Sequence, residues 1–223
     1  MSNHLDATGL QLLEQASFAE SIPADHIKLF LDDTSGQPAY RTPGGSNILL
    51  GSNMVSLFEG TPTSGEFNQA VNSGEALNCT HLRGMLLLRS TVAATSDVPY
   101  AFFNADYTAT NYRHGGIALL EGATTTAYGG NNPRMGNSTG ANSPTNELAV
   151  FWFEVPYFRR TDDVKKLNYM CSLYYTTGAS FFACSGGVHW NSANAITSII
   201  FRTDNHSTDT LSSASRLHLY GVK

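Results

Sequence analysis

From Thr80 to Tyr220 the chain passes through eight or nine short apolar segments, each closed by Gly, Asn, Asp, Ser or Pro, with no helical period between them. Apolar runs of strand length bounded by turn residues are the signature of an antiparallel all-β fold, because β-branched and aromatic side chains suit a pleated surface and the punctuating residues supply turn geometry. The predicted strands are His81–Ser90, Val98–Asn104, Gly116–Leu120, Leu148–Phe158, Leu167–Thr176, Ser180–Ser185, Val188–Trp190, Ala195–Phe201 and Arg216–Tyr220. Leu148–Phe158, LAVFWFEVPYF, is long and heavily apolar, as a central sandwich strand should be. With no helix to cross over between strands, the architecture expected is a jelly-roll-like antiparallel sandwich whose last strand, ending at Tyr220, completes the fold.

Length and composition agree with one sizeable sandwich plus a small appendage: 223 residues, with only 14% charged side chains against a usual share of about 25%. Neutral hydroxyl and amide residues cover the surface instead, which suits symmetric assemblies whose copies must not repel one another. The net charge of −5 and the scattered basic residues exclude a nucleic-acid wrapping surface. Arg159, Arg160, Lys165 and Lys166 form the densest basic group, and Asp162 and Asp163 interrupt it. Cys79, Cys171 and Cys184 are odd in number and lack a CxxC spacing, so no disulfide framework is expected, and Cys171 and Cys184, inside apolar runs, read as small buried hydrophobes. The opening MSNHLDATGL has no basic-then-apolar leader, and no apolar run is long enough to cross a bilayer, so synthesis in a cytoplasm without membrane insertion is expected.

Ahead of the sandwich, residues 7–20 carry the one helical signal, an apolar face of Leu10, Leu12, Leu13 and Phe18 that Pro23 terminates. So short a helix is marginal alone and is expected to dock, either on its own chain or on a neighbouring protein, with Leu10, Leu13 and Phe18 as the anchoring residues. Ile27–Leu31, Gln37–Arg41 and Ile48–Leu50 read as a small β-meander. Residues 51–78 read as a connector, placing a soft boundary between segments 1–75 and 76–223. The polar stretch 122–146, 25 residues long, is too long for an ordinary turn and is expected to be functional, partner-bound or disordered.

Several of these features occur together in a known group. Trp190, the strand Ala195–Ile196–Thr197–Ser198–Ile199, a serine ahead of the last strand and the closing Leu219–Tyr220–Gly221 resemble the end of a β-sandwich module common in virion proteins of tailed bacteriophages. Further inward, Arg89–Ser90, Phe103–Asn104–Ala105–Asp106, Asn111–Tyr112, Glu154–Val155–Pro156 and Tyr174–Tyr175 follow the module's order, with Ala105 where the module has Gly. Pro23, Leu29–Phe30, Asp32–Asp33, Gly36, Tyr40, Gly44–Gly45 and Leu49–Leu50 resemble a short element of phage fibre proteins. The resemblance implies a non-enzymatic structural protein, a tail fibre or a head fibre or decoration protein, whose N-terminal segment anchors and trimerises it. Its partners would be two further copies of itself and the capsid or tail, and its location the virion. The alternative implied is a carbohydrate-binding knob that contacts a host surface glycan.

The residues themselves offer little for catalysis. Seven histidines form no HxH, HExxH or Cys/His cluster, no GxSxG is present, and the Asp32–Asp33 and Asp162–Asp163 pairs sit on turns, not across a cleft. No enzyme, cofactor or metal is expected. Asn104, Asp106, Asn111 and Asp209 carry hard oxygen donors, but a D-x-D-x-D-G loop is absent and Asx residues at β-corners commonly bond their own backbone. Tyr107, Tyr112 and Tyr128, in predicted loops, with Asn131 and Asn132 beside them, are the candidates for a receptor or partner contact; corner packing is the alternative for the tyrosines.

Overall fold

The computed structural model describes residues 28–31, 38–41, 47–49, 54–120, 125–175, 180–203 and 208–223. The chain divides into two compact units, Met1–Met54 and Val55–Lys223. Leu10, Leu13 and Phe18, with the rest of the predicted helix, lie outside the described residues. In the first unit β1 (Lys28–Leu31), β2 (Pro38–Arg41) and β3 (Asn47–Leu49) form the expected antiparallel meander, Lys28 opposite Arg41 and Ala39 opposite Leu49.

The second unit is the antiparallel sandwich. Its strands are β4 (Met54–Gly60), β5 (Phe67–Ala70), β6 (His81–Leu88), β7 (Ser96–Asp97), β8 (Pro99–Phe103), β9 (Tyr112–Leu120), β10 (Thr126–Gly130), β11 (Ser138–Thr139), β12 (Ala149–Val155), β13 (Lys165–Tyr175), β14 (Ser180–Trp190), β15 (Ser198–Thr203) and β16 (Arg216–Val222). Eight of them make one broad sheet in the order β10-β9-β14-β13-β12-β6-β16-β4, and β5-β15-β8 make a narrow second layer. β4 and β5 belong to these sheets, so the sandwich takes in residues N-terminal to position 75, where the composition shift had placed the boundary.

Side-chain alternation sets the layers. On β13 the odd positions Lys165, Leu167, Tyr169, Cys171 and Leu173 are buried, and on β6 Leu82, Gly84, Leu86 and Leu88 are. Phe153 of β12 meets Phe201 of β15 at a ring separation of 5.0 Å, and Trp190 of β14 meets Phe103 of β8 at 5.8 Å, closing the core between the layers. The two runs expected at Ser180–Ser185 and Val188–Trp190 are one strand. Gly186 and Gly187 continue the ladder opposite Gly116 and Gly115. A Cβ on Gly116 or Gly186 would fall within 2.8 Å of the Tyr128 or Tyr169 hydroxyl, so the glycines make room for those two rings instead of breaking the strand.

Cys171 and Cys184 are directly opposite in the β13–β14 ladder, Cα atoms 5.2 Å apart, and are joined as a disulfide. They are buried, as expected, but the expectation of unpaired thiols is corrected: register puts two inward-facing positions side by side, which an odd count and unremarkable spacing could not reveal. Cys79 is the free, buried thiol.

Candidate functional site

The corner after β8 gathers most of the polar residues singled out in the sequence. Phe103 to Asp106 is a tight turn, the Asp106 amide donating to the Phe103 carbonyl at 2.9 Å, with both central residues left-handed (φ 54° at Asn104 and at Ala105). The Asn104 side chain reaches the segment entering β15. Its Oδ1 accepts from the Thr197 and Ser198 amides at 2.7 and 3.2 Å, and its Nδ2 donates to the Ala195 carbonyl at 2.9 Å. Asp106 accepts from Trp190 Nε1 and Asn111 Nδ2, both at 2.8 Å, and from the Thr108 amide at 3.0 Å. Burial works against ionisation of Asp106, but these hydrogen bonds outweigh it and hold the carboxyl below its ordinary range. Tyr112 is wholly buried; its hydroxyl accepts from the Phe103 amide at 3.0 Å and donates to the Asp106 carbonyl at 2.9 Å. The oxygens of Asn104 and Asp106 are thus aimed at donors within the corner, and Asp209 lends its carbonyl to the Thr203 hydroxyl. Among the described residues no three His, Cys, Asp or Glu side chains gather to hold a metal ion.

The proposed contact residues do not form one surface. Tyr112 is out of reach of any partner, so packing and not recognition is its role. Tyr128 is half-buried, its hydroxyl 2.5 Å from that of Tyr169 and its ring beside His114 and Arg134. Burial pushes the Tyr128 and Tyr169 hydroxyls up and His114 down, which keeps all three neutral near pH 7. Asn131 is exposed, while the Asn132 carbonyl is bound to His114 Nδ1 at 2.9 Å. Tyr107, 43% exposed, packs edge-on against Phe102 and carries the Arg202 guanidinium 4.1 Å from its ring centre.

Much of the stretch 122–146 is built into the domain. Beyond residues 121–124, which lie outside the described set, it forms β10, pairs Pro133 and Met135 with the edge of β8, and forms β11 against β7. Arg89 is the organiser. Its buried guanidinium donates to the carbonyls of Ala141 at 3.0 Å, Ser143 at 2.5 Å, Glu147 at 3.5 Å and Pro144. One planar fork with five N–H donors satisfies the turns of a segment that has little apolar surface of its own.

The feature least visible in the sequence is the outward face of the broad sheet. Register aligns Ile117, Ser185, Met170, Trp152, Met85 and His218 in one row across six strands, and Leu119, Ala183, Ser172, Val150, Leu87 and Arg216 in the next. Tyr174 and Phe181 pair beyond them. Trp152 is 56% exposed, Met170 61% and Ile117 55%. On the other side runs a polar row of Asn168, Glu154, Arg83 and Tyr220, with Glu154 and Arg83 ion-paired at 3.5 Å. With ~200 Å² for a large apolar side chain, six residues exposed by 40–61% leave roughly 600 Å² of apolar surface, the upper end of what a monomer shows. Sequence reasoning missed it because an apolar run marks a strand but not which of its faces is covered. No known protein family, curated protein or solved structure matches the chain.

Proposed function

We propose that this chain is a non-enzymatic structural protein of a tailed-bacteriophage particle, a homotrimeric tail fibre or a head fibre or decoration protein, made in the bacterial cytoplasm and built into the virion. The observation that carries the reading is the broad sheet's outward face, an apolar centre bordered by a polar row along one side, which suits a protein–protein interface. The polar corner supports it from the other side. Asn104, Asp106, Asn111 and Trp190 bond to one another and to the backbone, as a structural joint requires, and present no nucleophile beside a base. The resemblance of residues 89–221 to the virion module supplies the particle.

One observation favours the alternative, a glycan-binding knob: Tyr107 offers an exposed ring backed by Arg202. Immunogold electron microscopy of intact particles, with antibody against residues 55–223, decides the main reading. Gold over the head assigns a decoration or head-fibre protein, and gold on the tail assigns a fibre and makes glycan screening of Tyr107→Ala the next comparison. Particles free of gold, from a lysate in which the protein is detected, would sink the virion assignment.

A further inference from the structure

We infer that the outward face of the broad sheet is a self-association surface, on which Ile117, Trp152 and Met170 pack against the same face of another copy of this chain. This rests on the reading of the chain as an assembling structural protein and names the partner of that face. Three observations select a second copy. The first is area: roughly 600 Å² on each of two copies gives a buried total of about 1,200 Å², at the lower edge of the range of specific stable interfaces.

The second is relief. Ser185, Ala183 and Ser172 form a strip of small side chains, bounded by Ile117 and Leu119 on one side and by Met170, Trp152 and Val150 on the other. A face with both a ridge and a hollow fits its own two-fold copy, the ridge of each entering the hollow of the other; such an isologous contact pairs copies across a two-fold axis and is separate from the three-fold contact of the proposed trimer. The third is charge. The rows from Ile117 to Met85 and from Leu119 to Leu87 hold no ionisable side chain, so copies with a net charge of −5 meet there without opposed like charges. His218 and Arg216 stand at the far end of the rows, and His218 faces Glu59 at 3.5 Å.

The test uses the full chain. The sequence contains two tryptophans: Trp190 is buried within the sandwich, and Trp152 lies at the centre of the exposed face. Sedimentation velocity over a micromolar concentration series is expected to show a reversible oligomer. Acrylamide is expected to quench Trp152 in the diluted monomer and to be shut out in the oligomer, while Trp190 stays protected throughout. Trp152→Lys and Met170→Lys, at positions already open to solvent, are each expected to weaken association about thirtyfold or more, as removal of a central anchor does. Leu77→Lys, an exposed apolar residue outside the sheets, leaves it unchanged.

A protein that sediments as a monomer at every concentration overturns the inference. So does an oligomer in which Trp152 remains quenchable, since association then uses another surface. Shielding of Trp152 in a monomer overturns it too, because the chain then covers the face itself. The quenching arm uses the unaltered protein, so it stands even if a lysine variant fails to fold. Gold-labelled particles combined with any of these results would leave the virion reading intact and remove this surface from it.

Discussion

Replacing Ala105 by Gly should stabilise the protein, and the turn geometry sets the size of the gain. Ala105 sits at φ 54° as the second of two consecutive left-handed residues. There its Cβ crowds the following carbonyl, at a cost of about 1–2 kcal/mol for an L-residue. Glycine removes that cost but enters with a freer unfolded chain, which returns about 0.4–1 kcal/mol. The difference is a net stabilisation of about 0.5–1 kcal/mol, and for a unit of this size the midpoint should rise by about 1–4 °C. Ala105 is exposed, so no packing change accompanies the substitution. Asn104, also left-handed, tolerates that conformation through its short polar side chain and is tied down by its bonds to Thr197, Ser198 and Ala195. Asn104→Ala should therefore lose about 1–2 kcal/mol, since it removes these bonds at a solvent-accessible joint and puts alanine at a left-handed position. Differential scanning calorimetry and urea unfolding of the three proteins measure both effects. If Ala105→Gly were neutral or destabilising while Asn104→Ala behaved as stated, residue 105 would not be left-handed and the corner as described would be wrong.

Three further outcomes follow from the same structure. Asp106 has a carboxyl held below its ordinary range, so its contribution to stability is complete above the unfolded carboxylate pKa and is lost as pH falls through the folded one. Melting temperature measured from neutral to acid pH should fall more steeply for the wild type than for Asp106→Asn, and parallel curves would contradict the assignment. Alkylation of denatured, unreduced protein should label Cys79 alone, and all three cysteines after reduction; mass spectrometry reads the count directly. Arg89→Met should cost about 3 kcal/mol by urea unfolding and open residues 141–147 to protease, with Arg89→Lys restoring less than half because an ammonium cannot reach four carbonyls as the fork does.

How far the sequence speaks is clearest at particular places. His81–Leu88, Pro99–Phe103 and Arg216–Val222 were legible because short apolar runs of strand length, bounded by turn residues, have few alternatives to a sheet in a chain with no helical period around them. Ser138–Thr139 was hidden inside a polar stretch because what orders it is distant, β7 and the residues beside Arg89, whereas Thr126–Gly130 pairs with the nearby β9 but has too few apolar residues to read as a strand. No local pattern encodes a partner about 50 residues away in sequence. Tyr112 was placed in a loop by its Asx-rich neighbours, whereas it opens β9 and turns its ring inward. Asn104, Asp106, Asn111, Tyr112, Trp190, Ala195, Thr197 and Ser198, scattered over almost a hundred positions, are joined by hydrogen bonds in one corner.

The outward face carries the same lesson in reverse. A sheet with one solvated side normally alternates apolar with polar, whereas near-continuous apolar strands belong to sheets covered on both sides. β12 reads Ala149–Val150–Phe151–Trp152–Phe153, and its inward residues Ala149, Phe151 and Phe153 are buried by the sandwich. Its outward residues Val150 and Trp152 are no less apolar, and Ile117, Leu119 and Met170 repeat the pattern on β9 and β13. Such a pattern suits a strand covered on both faces, whereas among the described residues only its inward face is covered. Solvated apolar residues at five register-matched positions would cost solubility for no structural return. A second layer supplied by another copy lets the sequence pattern and the fold agree, and shielding of Trp152 is the quantity in which that agreement is measured.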